Sequence, residues 1–553
     1  MSNLINYLQT IKFLKIKQIF YRFLFKIKKR YLKKGLEYKL SNLNLLKKNI
    51  QKKSLIYKGN EVSFSFQNIK KKIKNYKFDE KLLPKLWMYN LHYFDYLNDN
   101  KNNTYYTKIK IKLIHDWIDH SHSNISSLSL DPYPTSLRIT NWIQWIVNNN
   151  VTDKKIYESL YSQLLHLNRF IEYHILANHL FANAKALIFG GLFFNDYKSD
   201  LIYLKGIKLL KKELKEQILK DGGHYEQSPM YHNIITEDVL DIYNILNSNK
   251  KLADIKKLTL KKTLNKMIIF MSYMSHPDGE VSFFNDSCFS IASKKLDILR
   301  YSKNLKIFNS NYHKKISFID FPQSGYSIIK NKNFFLIYDR ADVKSSYQPG
   351  HTHADTLSFE LSFYKKRFIV NSGINTYEYN NSRIQQRGSS SHNTLVVNGV
   401  NSSNIWHSFR LGNRAKIIKK ENIVNKKRFL LTGSHDGYLN KFNTIHSRAL
   451  EIKKKDLIVY DKILAKKNVE ITIYFYFFEN FNFKIIDNNN IFIKQKKFNV
   501  NILINDGCNA KIIKSNFYPT FGIYRVNKCL QIKSLVKKEK LIKTCFQFNL
   551  NDQ

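Results

Sequence analysis

The sequence predicts an all-helical region followed by an antiparallel β-sandwich, and three observations carry that prediction. Up to about residue 320 the apolar residues recur at helical spacing; beyond it they alternate with a period of two. Asn398-Gly399, directly after the β-rich run 394–397, is the pair that a type I′ hairpin turn demands.

The elements follow in chain order. Residues 1–80 read as a basic helical leader, since residues 4–30 mix Phe13, Leu14, Ile16, Ile19, Phe20, Phe23 and Leu24 with Lys or Arg every few positions. Such a basic amphipathic stretch either lies on a membrane surface or packs on the body of the protein. It lacks the continuous apolar run and small-residue cleavage site of a signal peptide, and no uninterrupted apolar run reaches membrane-spanning length. Residues 81–315 carry stripes such as Ile156, Leu160, Leu164, Leu167 and Ile171, then Leu260, Leu264, Met267, Ile268 and Met271, the core faces of helices in a bundle or toroid. Residues 316–553 carry alternations such as Leu357, Phe359, Leu361 and Phe363 against Ser358, Glu360 and Ser362; Val469, Ile471, Ile473, Phe475 and Phe477 repeat the pattern.

Composition narrows the partners. The 553 residues hold 91 Lys plus Arg against 43 Asp plus Glu, a formal charge of +48, which favours polyanions. Lys, Asn, Ile, Tyr and Phe are all abundant while Gly (18) and Pro (8) are scarce, so A/T-rich codon usage supplies part of that charge and charge alone decides nothing. No Lys/Arg stripe interleaved with aromatics forms a nucleic-acid-binding module, which argues against nucleic acid as partner. Cys288, Cys508, Cys529 and Cys545 show no CxxC spacing and read as buried small residues.

Polar and aromatic residues gather in five segments where a core pattern would not put them. Leu86-Trp87-Met88-Tyr89-Asn90-Leu91-His92-Tyr93 opens the helical region, Asp131-Pro132-Tyr133-Pro134 leads to Arg138, and Asn178-His179 follows. Next come Asp221-Gly222-Gly223-His224-Tyr225-Glu226 with Tyr231-His232, and then Pro349-Gly350-His351-Thr352-His353-Ala354-Asp355. His351 and His353, two apart, share one face if extended, a spacing that suits a metal; His392 in Ser391-His392-Asn393-Thr394 is a third imidazole that can converge on them.

Asn178-His179, the 223–232 loop, Gly350-His351-Thr352-His353-Ala354-Asp355 and Ser391-His392-Asn393-Thr394, in this order, resemble the heparinase II/III-like polysaccharide lyases, relatives of alginate and heparan sulfate lyases. The resemblance covers roughly residues 85–410 and implies an incomplete (α/α) toroid followed by an antiparallel β-sandwich domain, with the cleft between them. It further implies β-elimination on a uronic-acid-containing acidic polysaccharide. The residues 10–19 also look like the start of a subgroup found with surface-polysaccharide synthesis functions.

That chemistry explains the residue types. The C5 proton of a uronate is too weakly acidic to leave while the adjacent carboxylate keeps its full charge, so donors must stabilise the developing enediolate, a base must take the proton and an acid must protonate O4. The resemblance assigns the first task to Asn178 and His179, and acid and base to Tyr231 and His351 in an order that depends on the substrate epimer. Trp87, Asn90, His92, Tyr93, Arg138, His224, Glu226, Tyr377 and Arg387 are the expected substrate contacts, the arginines because a planar fork suits a carboxylate or sulfate. The resemblance also implies a structural zinc held by His353, His392 and an aspartate, whose position is here Asn371, a neutral and weaker ligand. No organic cofactor is implied.

Two questions stay open at this level. A non-catalytic acidic-polysaccharide-binding or assembly protein on the same scaffold is the other reading, hinted at by Asn371 and opposed by Asn178, Tyr231 and His351. The resemblance places the protein in the cell envelope, in the periplasm, whereas the basic leader without a signal peptide fits the cytoplasmic face of the inner membrane.

Overall fold

The computed structural model describes residues 2–27, 30–48, 50, 54–58, 61–72, 83–123, 128–307, 317–425, 428–478 and 481–551. The expected boundaries at 80/81 and 315/316 lie outside the described residues. Residues 1–80 were expected to be helical; among the described residues of this stretch the helices are α1 (Ser2–Ile11) and α2 (Ile16–Ile27). The chain then runs extended along the helical domain, where Ser41 N–H donates to Phe193 O (3.0 Å) and Lys48 pairs with Glu237 (2.5 Å) and Asp241 (3.1 Å). A small antiparallel sheet, Leu55–Lys58, Glu61–Phe66 and Ile69–Lys71, follows and packs Phe64 and Phe66 against Tyr96 and Trp87.

The helical domain is the expected incomplete (α/α) toroid, its helices running from Lys85–Tyr93 to Lys295–Asn304 around one apolar core. The stripes read from the sequence are its core faces: Ile156, Leu160, Leu164 and Leu167 on Lys154–Arg169 and Leu260, Leu264, Met267, Ile268 and Met271 on Leu260–Tyr273 are all buried. The helix Ala177–Phe193 is apolar almost all round and therefore sits inside, packed between Pro132–Asn149 and Tyr197–Gln217. Its rigid first turn carries Asn178.

The β-domain stacks three antiparallel sheets. Five strands, Phe318–Phe321 to Lys366–Ile369, lie against an eight-stranded sheet through Phe334, Phe363, Phe368, Phe498 and Phe548. A four-stranded sheet completes the sandwich and includes Val469–Tyr476. Asn398 (φ 48°) and Gly399 (φ 69°) form the expected left-handed turn, closed by Val400 N–H on Val397 O (2.9 Å). Across the turn the pairing is the single bridge Val397–Val400, and the longer partner of Leu395–Val397 is Val469–Tyr476, whose Ile471 and Ile473 extend the apolar face.

The polar face of Phe359–Phe363 does not meet solvent. Glu360 and Ser362 are buried against the toroid, where His276 contacts Glu360 (2.8 Å) and Ser362 (2.7 Å) and Arg367 forks onto Asp278 (2.6 and 3.1 Å). An alternation that reads as half-exposed is thus a domain interface.

Candidate active site

Asn178 and His179 start the buried helix Ala177–Phe193. The two residues before Asn178, Leu176 (φ 67°) and Ala177 (φ 55°), adopt left-handed backbone that non-glycine residues avoid, at a cost on the order of 1–2 kcal/mol per residue. Strain of this kind persists only where packing over-determines it, and here it aims Asn178 and His179 at the domain boundary. Among the described residues the Asn178 carboxamide takes no internal hydrogen-bond partner, so its N–H donors are available to a ligand. His179 is oriented by Glu172 (Nδ1 to Oε1, 3.0 Å) and packs on the Tyr133 ring (4.3 Å between centroids).

The segment 221–228 joins two toroid helices and rests on the β-domain. Gly222 has φ 96°, and a Cβ there would lie 2.5 Å from the Lys266 carbonyl oxygen, so glycine is required. Asp221 accepts from Ser324 N–H (2.7 Å) and Gln227 donates to Ser324 O and Asp342 O (2.9 Å each), fastening the loop to the β-domain. Ser228 then caps the helix Pro229–Ser248 by accepting from Tyr231 N–H (3.1 Å), with Pro229 in the first helical position. Tyr231 is fixed in that first turn.

From the β-domain, His351 lies face to face with Tyr231, ring centroids 3.9 Å apart at 28°. Asp286 sets this arrangement. It is fully buried, takes Arg383 in a fork (2.5 and 2.7 Å), accepts from His351 Nδ1 (2.8 Å) and meets His353 Nε2 (2.8 Å). Burial pushes its pKa up, but the Arg383 charge and these hydrogen bonds outweigh burial and hold the carboxyl well below the usual range. A carboxylate only accepts, so His351 donates through Nδ1 and keeps its Nε2 lone pair free for a proton. Burial lowers the His351 pKa although Asp286 raises it, so the ring is neutral at neutral pH. Burial, with Tyr133 nearby, raises the Tyr231 pKa well above 10, so its hydroxyl keeps its proton. Tyr377 reaches the same point, its hydroxyl 3.1 Å from that of Tyr231.

The structure thus brings Asn178, His179, Tyr231, His351 and Tyr377 to one domain boundary, with Tyr93 beside Tyr133 (5.9 Å) at its edge. Other expected contacts are corrected. Trp87 is core and donates to Ile69 O (3.0 Å); His92 is core and accepts from Trp117 Nε1 (3.1 Å); Asn90 donates to Leu86 O (2.7 Å) within its own helix. Arg138 is fully buried, spent on Gln163 (2.6 Å), His92 O and Ser129 O, with its guanidinium over the Trp117 ring. Arg387 is fully buried too and donates to Thr352 O (2.7 Å) and His407 O (2.7 Å), bracing the 349–355 loop. A cation with several donors looks like an anion site in sequence, yet it equally suits a cluster of orphaned carbonyls. His224 and Glu226 are buried beneath the site; burial pushes Glu226 up to about 8, opposed by the Asn178 backbone N–H, so it is a neutral acid at pH 7.

Two of the three expected zinc ligands, His353 and His392, stand together. His353 Nδ1 lies 3.0 Å from His392 Nε2, its Nε2 is on Asp286, and His392 Nδ1 donates to Gly388 O (2.8 Å). The Asn371 carboxamide oxygen accepts two N–H groups of Asn393 (3.0 and 3.3 Å). Asp286 and Gly388 O take the ring protons of His353 and His392, so the two nitrogens that face each other both carry lone pairs, as metal ligands do, while the third position, Asn371, is neutral. Among the described residues no group of three His, Cys, Asp or Glu is placed to hold a metal.

Asp286, Arg383, Glu172 and Tyr133 were not singled out in the sequence as site residues. Asp286 had a faint signal, since Phe283-Phe284-Asn285-Asp286-Ser287-Cys288 sets three polar residues between apolar ones after the last strong helical stripe.

Comparison with known proteins agrees with this architecture. The curated heparin-sulfate lyase of Bacteroides stercoris is 27% identical over 256 residues, 41% of this chain and 37% of that one. That of Pedobacter heparinus is 24% identical over 361 residues, 61% of this chain and 51% of that one. The chain thus spans from about a third to half of the length of these relatives. A crystal structure of heparinase III superposes with a TM-score of 0.72 at 18% identity, covering 96% of this chain and 88% of that one, which shows a shared fold. The family models described as Heparinase II/III N-terminus and Heparinase II/III-like, C-terminal match residues 3–316 and 314–544, and the chain therefore belongs to the heparinase II/III family.

Proposed function

We propose that this protein is a polysaccharide lyase that cleaves a uronic-acid-containing acidic polysaccharide by β-elimination, in the service of cell-surface polysaccharide metabolism. The observation that carries the reading is the Tyr231–His351 pair: two rings from different domains, stacked at 3.9 Å, one holding an ionisable proton and the other a free lone pair. His351 Nε2 takes the C5 proton. The Tyr231 hydroxyl, with Tyr377 hydrogen-bonded behind it, delivers a proton to O4 as the glycosidic C–O bond breaks and a C4–C5 double bond forms. The Asn178 N–H donates to the substrate carboxylate and stabilises the developing enediolate charge, with His179 held beside it by Glu172. The curated relatives named above are heparin-sulfate lyases, which makes a glycosaminoglycan the first substrate class to try.

The test is ultraviolet absorbance of the conjugated unsaturated uronate, with the full chain on heparan sulfate, chondroitin sulfate and alginate. Tyr231→Phe and His351→Ala should each lower kcat on the order of 10²–10⁴-fold. No absorbance on any of these polymers, while one of them binds, would replace the reading with a glycan-binding role.

A further inference from the structure

Helices α1 and α2 present their apolar sides to solvent and turn polar residues inward. In α1 the side against the β-domain is Asn6, Gln9 and Thr10. Asn6 and Gln9 accept from Asn404 Nδ2 (2.8 and 3.1 Å), and Thr10 accepts from Trp406 Nε1 (3.1 Å). On the opposite side, Leu4, Leu8 and Ile11 stand at i, i+4 and i+7 and are exposed, Leu4 by 65%. In α2 the inward residue is Gln18, which reaches Ile175 O of the toroid (3.4 Å) and Tyr347 O of the β-domain (3.5 Å). Its neighbours Tyr21 and Phe25 lie on Tyr173 and His174. Outward, Ile16, Phe20 and Phe23 again stand at i, i+4 and i+7, with Ile16 86% and Phe23 66% exposed. Only four residues separate the two helices.

Six large exposed apolar side chains, three on each of two consecutive helices, call for something to cover them. Lys12, Arg22 and Lys26 are exposed around the stripes, and no acidic residue occurs among the first 30 residues. An apolar stripe bordered by Lys12, Arg22 and Lys26, with Lys15 between the helices paired to Glu216, matches an anionic lipid surface, whose acyl chains take the side chains and whose headgroups take the charges. We infer that α1 and α2 dock the protein on the surface of an anionic membrane. Because Gln18 ties α2 to both domains, three residues from Asn178 on one side and four from His351 on the other, docking holds the domain boundary next to the bilayer. A polysaccharide still near the membrane is then within reach. This inference rests on the exposed helices and not on the reading of the active site.

The experiment is vesicle co-sedimentation of the full chain, with phosphatidylcholine alone and with a minority of phosphatidylglycerol. The expected result is partition into the anionic vesicles at least about tenfold above the neutral ones, weakened by salt. The triple substitution Ile16→Ser, Phe20→Ser, Phe23→Ser should abolish it with an unchanged thermal melt, since these side chains leave the core untouched. Failure to sediment with anionic vesicles would overturn the proposal, as would undiminished binding by the triple variant. A discrete dimer in solution that the triple variant abolishes, without vesicle binding, would assign the stripes to a second copy of the chain and overturn it equally. None of these outcomes depends on lyase activity.

Discussion

At the scale of single residues, the site turns on Asp286. It pairs with Arg383, aligns His351 and meets His353, so one carboxylate sets the protonation of the candidate base and braces the loop that carries it. Asp286→Asn keeps the shape, removes the charge and leaves Arg383 buried without its counter-ion, an expected loss of about 3–5 kcal/mol in urea denaturation. It should also lower kcat on the order of 10²–10⁴-fold by releasing the His351 tautomer. The pH profile separates alignment from mere stability. His351 must be neutral to accept a proton, so kcat/KM falls as pH drops through its pKa, which burial places below 6.5. Asp286 raises that pKa; removing its charge should therefore move the acid limb of the residual activity to lower pH. An unmoved limb would leave Asp286 a structural residue only. Asn178, His179, Tyr231 and His351 were picked out by their resemblance to family motifs, and the structure brings them to one domain boundary. Arg138 and Arg387 misled because burial, which no local pattern of theirs records, turned anion binders into carbonyl clamps.

At the scale of elements, the helix Pro229–Ser248 owes its position to its cap. Ser228 accepts from Tyr231 N–H and donates to Asp286 O (2.7 Å), so the turn that presents Tyr231 is tied to the segment that presents Asp286. Ser228→Ala should cost about 0.5–2 kcal/mol in urea denaturation. With the turn loosened, kcat should fall more than KM rises; a variant as stable and as active as the parent would refute the role given to this cap. A Ser-Pro pair before a helix is a local capping signal, readable without tertiary contacts. The Asn398-Gly399 turn was visible for the same reason, but the choice of strand partner was not. That choice depends on which apolar face is nearest in space, and Val469–Tyr476, some seventy positions further along the chain, supplied it.

At the scale of the whole molecule, the two domains share buried polar chemistry. Glu360 accepts from Phe283 N–H (3.0 Å) and Asn371 N–H (2.9 Å) and contacts His276 across the interface. Toroid and sandwich should therefore unfold together, giving one calorimetric transition. Glu360→Ala orphans two backbone N–H groups and His276, at about 1–3 kcal/mol for each unsatisfied group, and should lower the transition or split it. Two transitions in the unaltered protein would show that the interface does not couple the domains. The same interface holds His351 of the β-domain against Tyr231, on the toroid with Asn178 and His179, so a loosened interface also parts the site.

The sequence by itself determined what is periodic or locally exacting: the helices between residues 85 and 304, the strands beyond 317 and the turn at Asn398-Gly399. These are encoded locally, by side-chain spacing and backbone freedom. Only the tertiary structure decided which polar residues face a ligand and which face a carbonyl, which strand pairs with which, and which side of α1 and α2 points outward. Those outcomes depend on burial and on contacts between residues far apart in the chain. A single sequence carries them in its energetics and does not display them in its pattern.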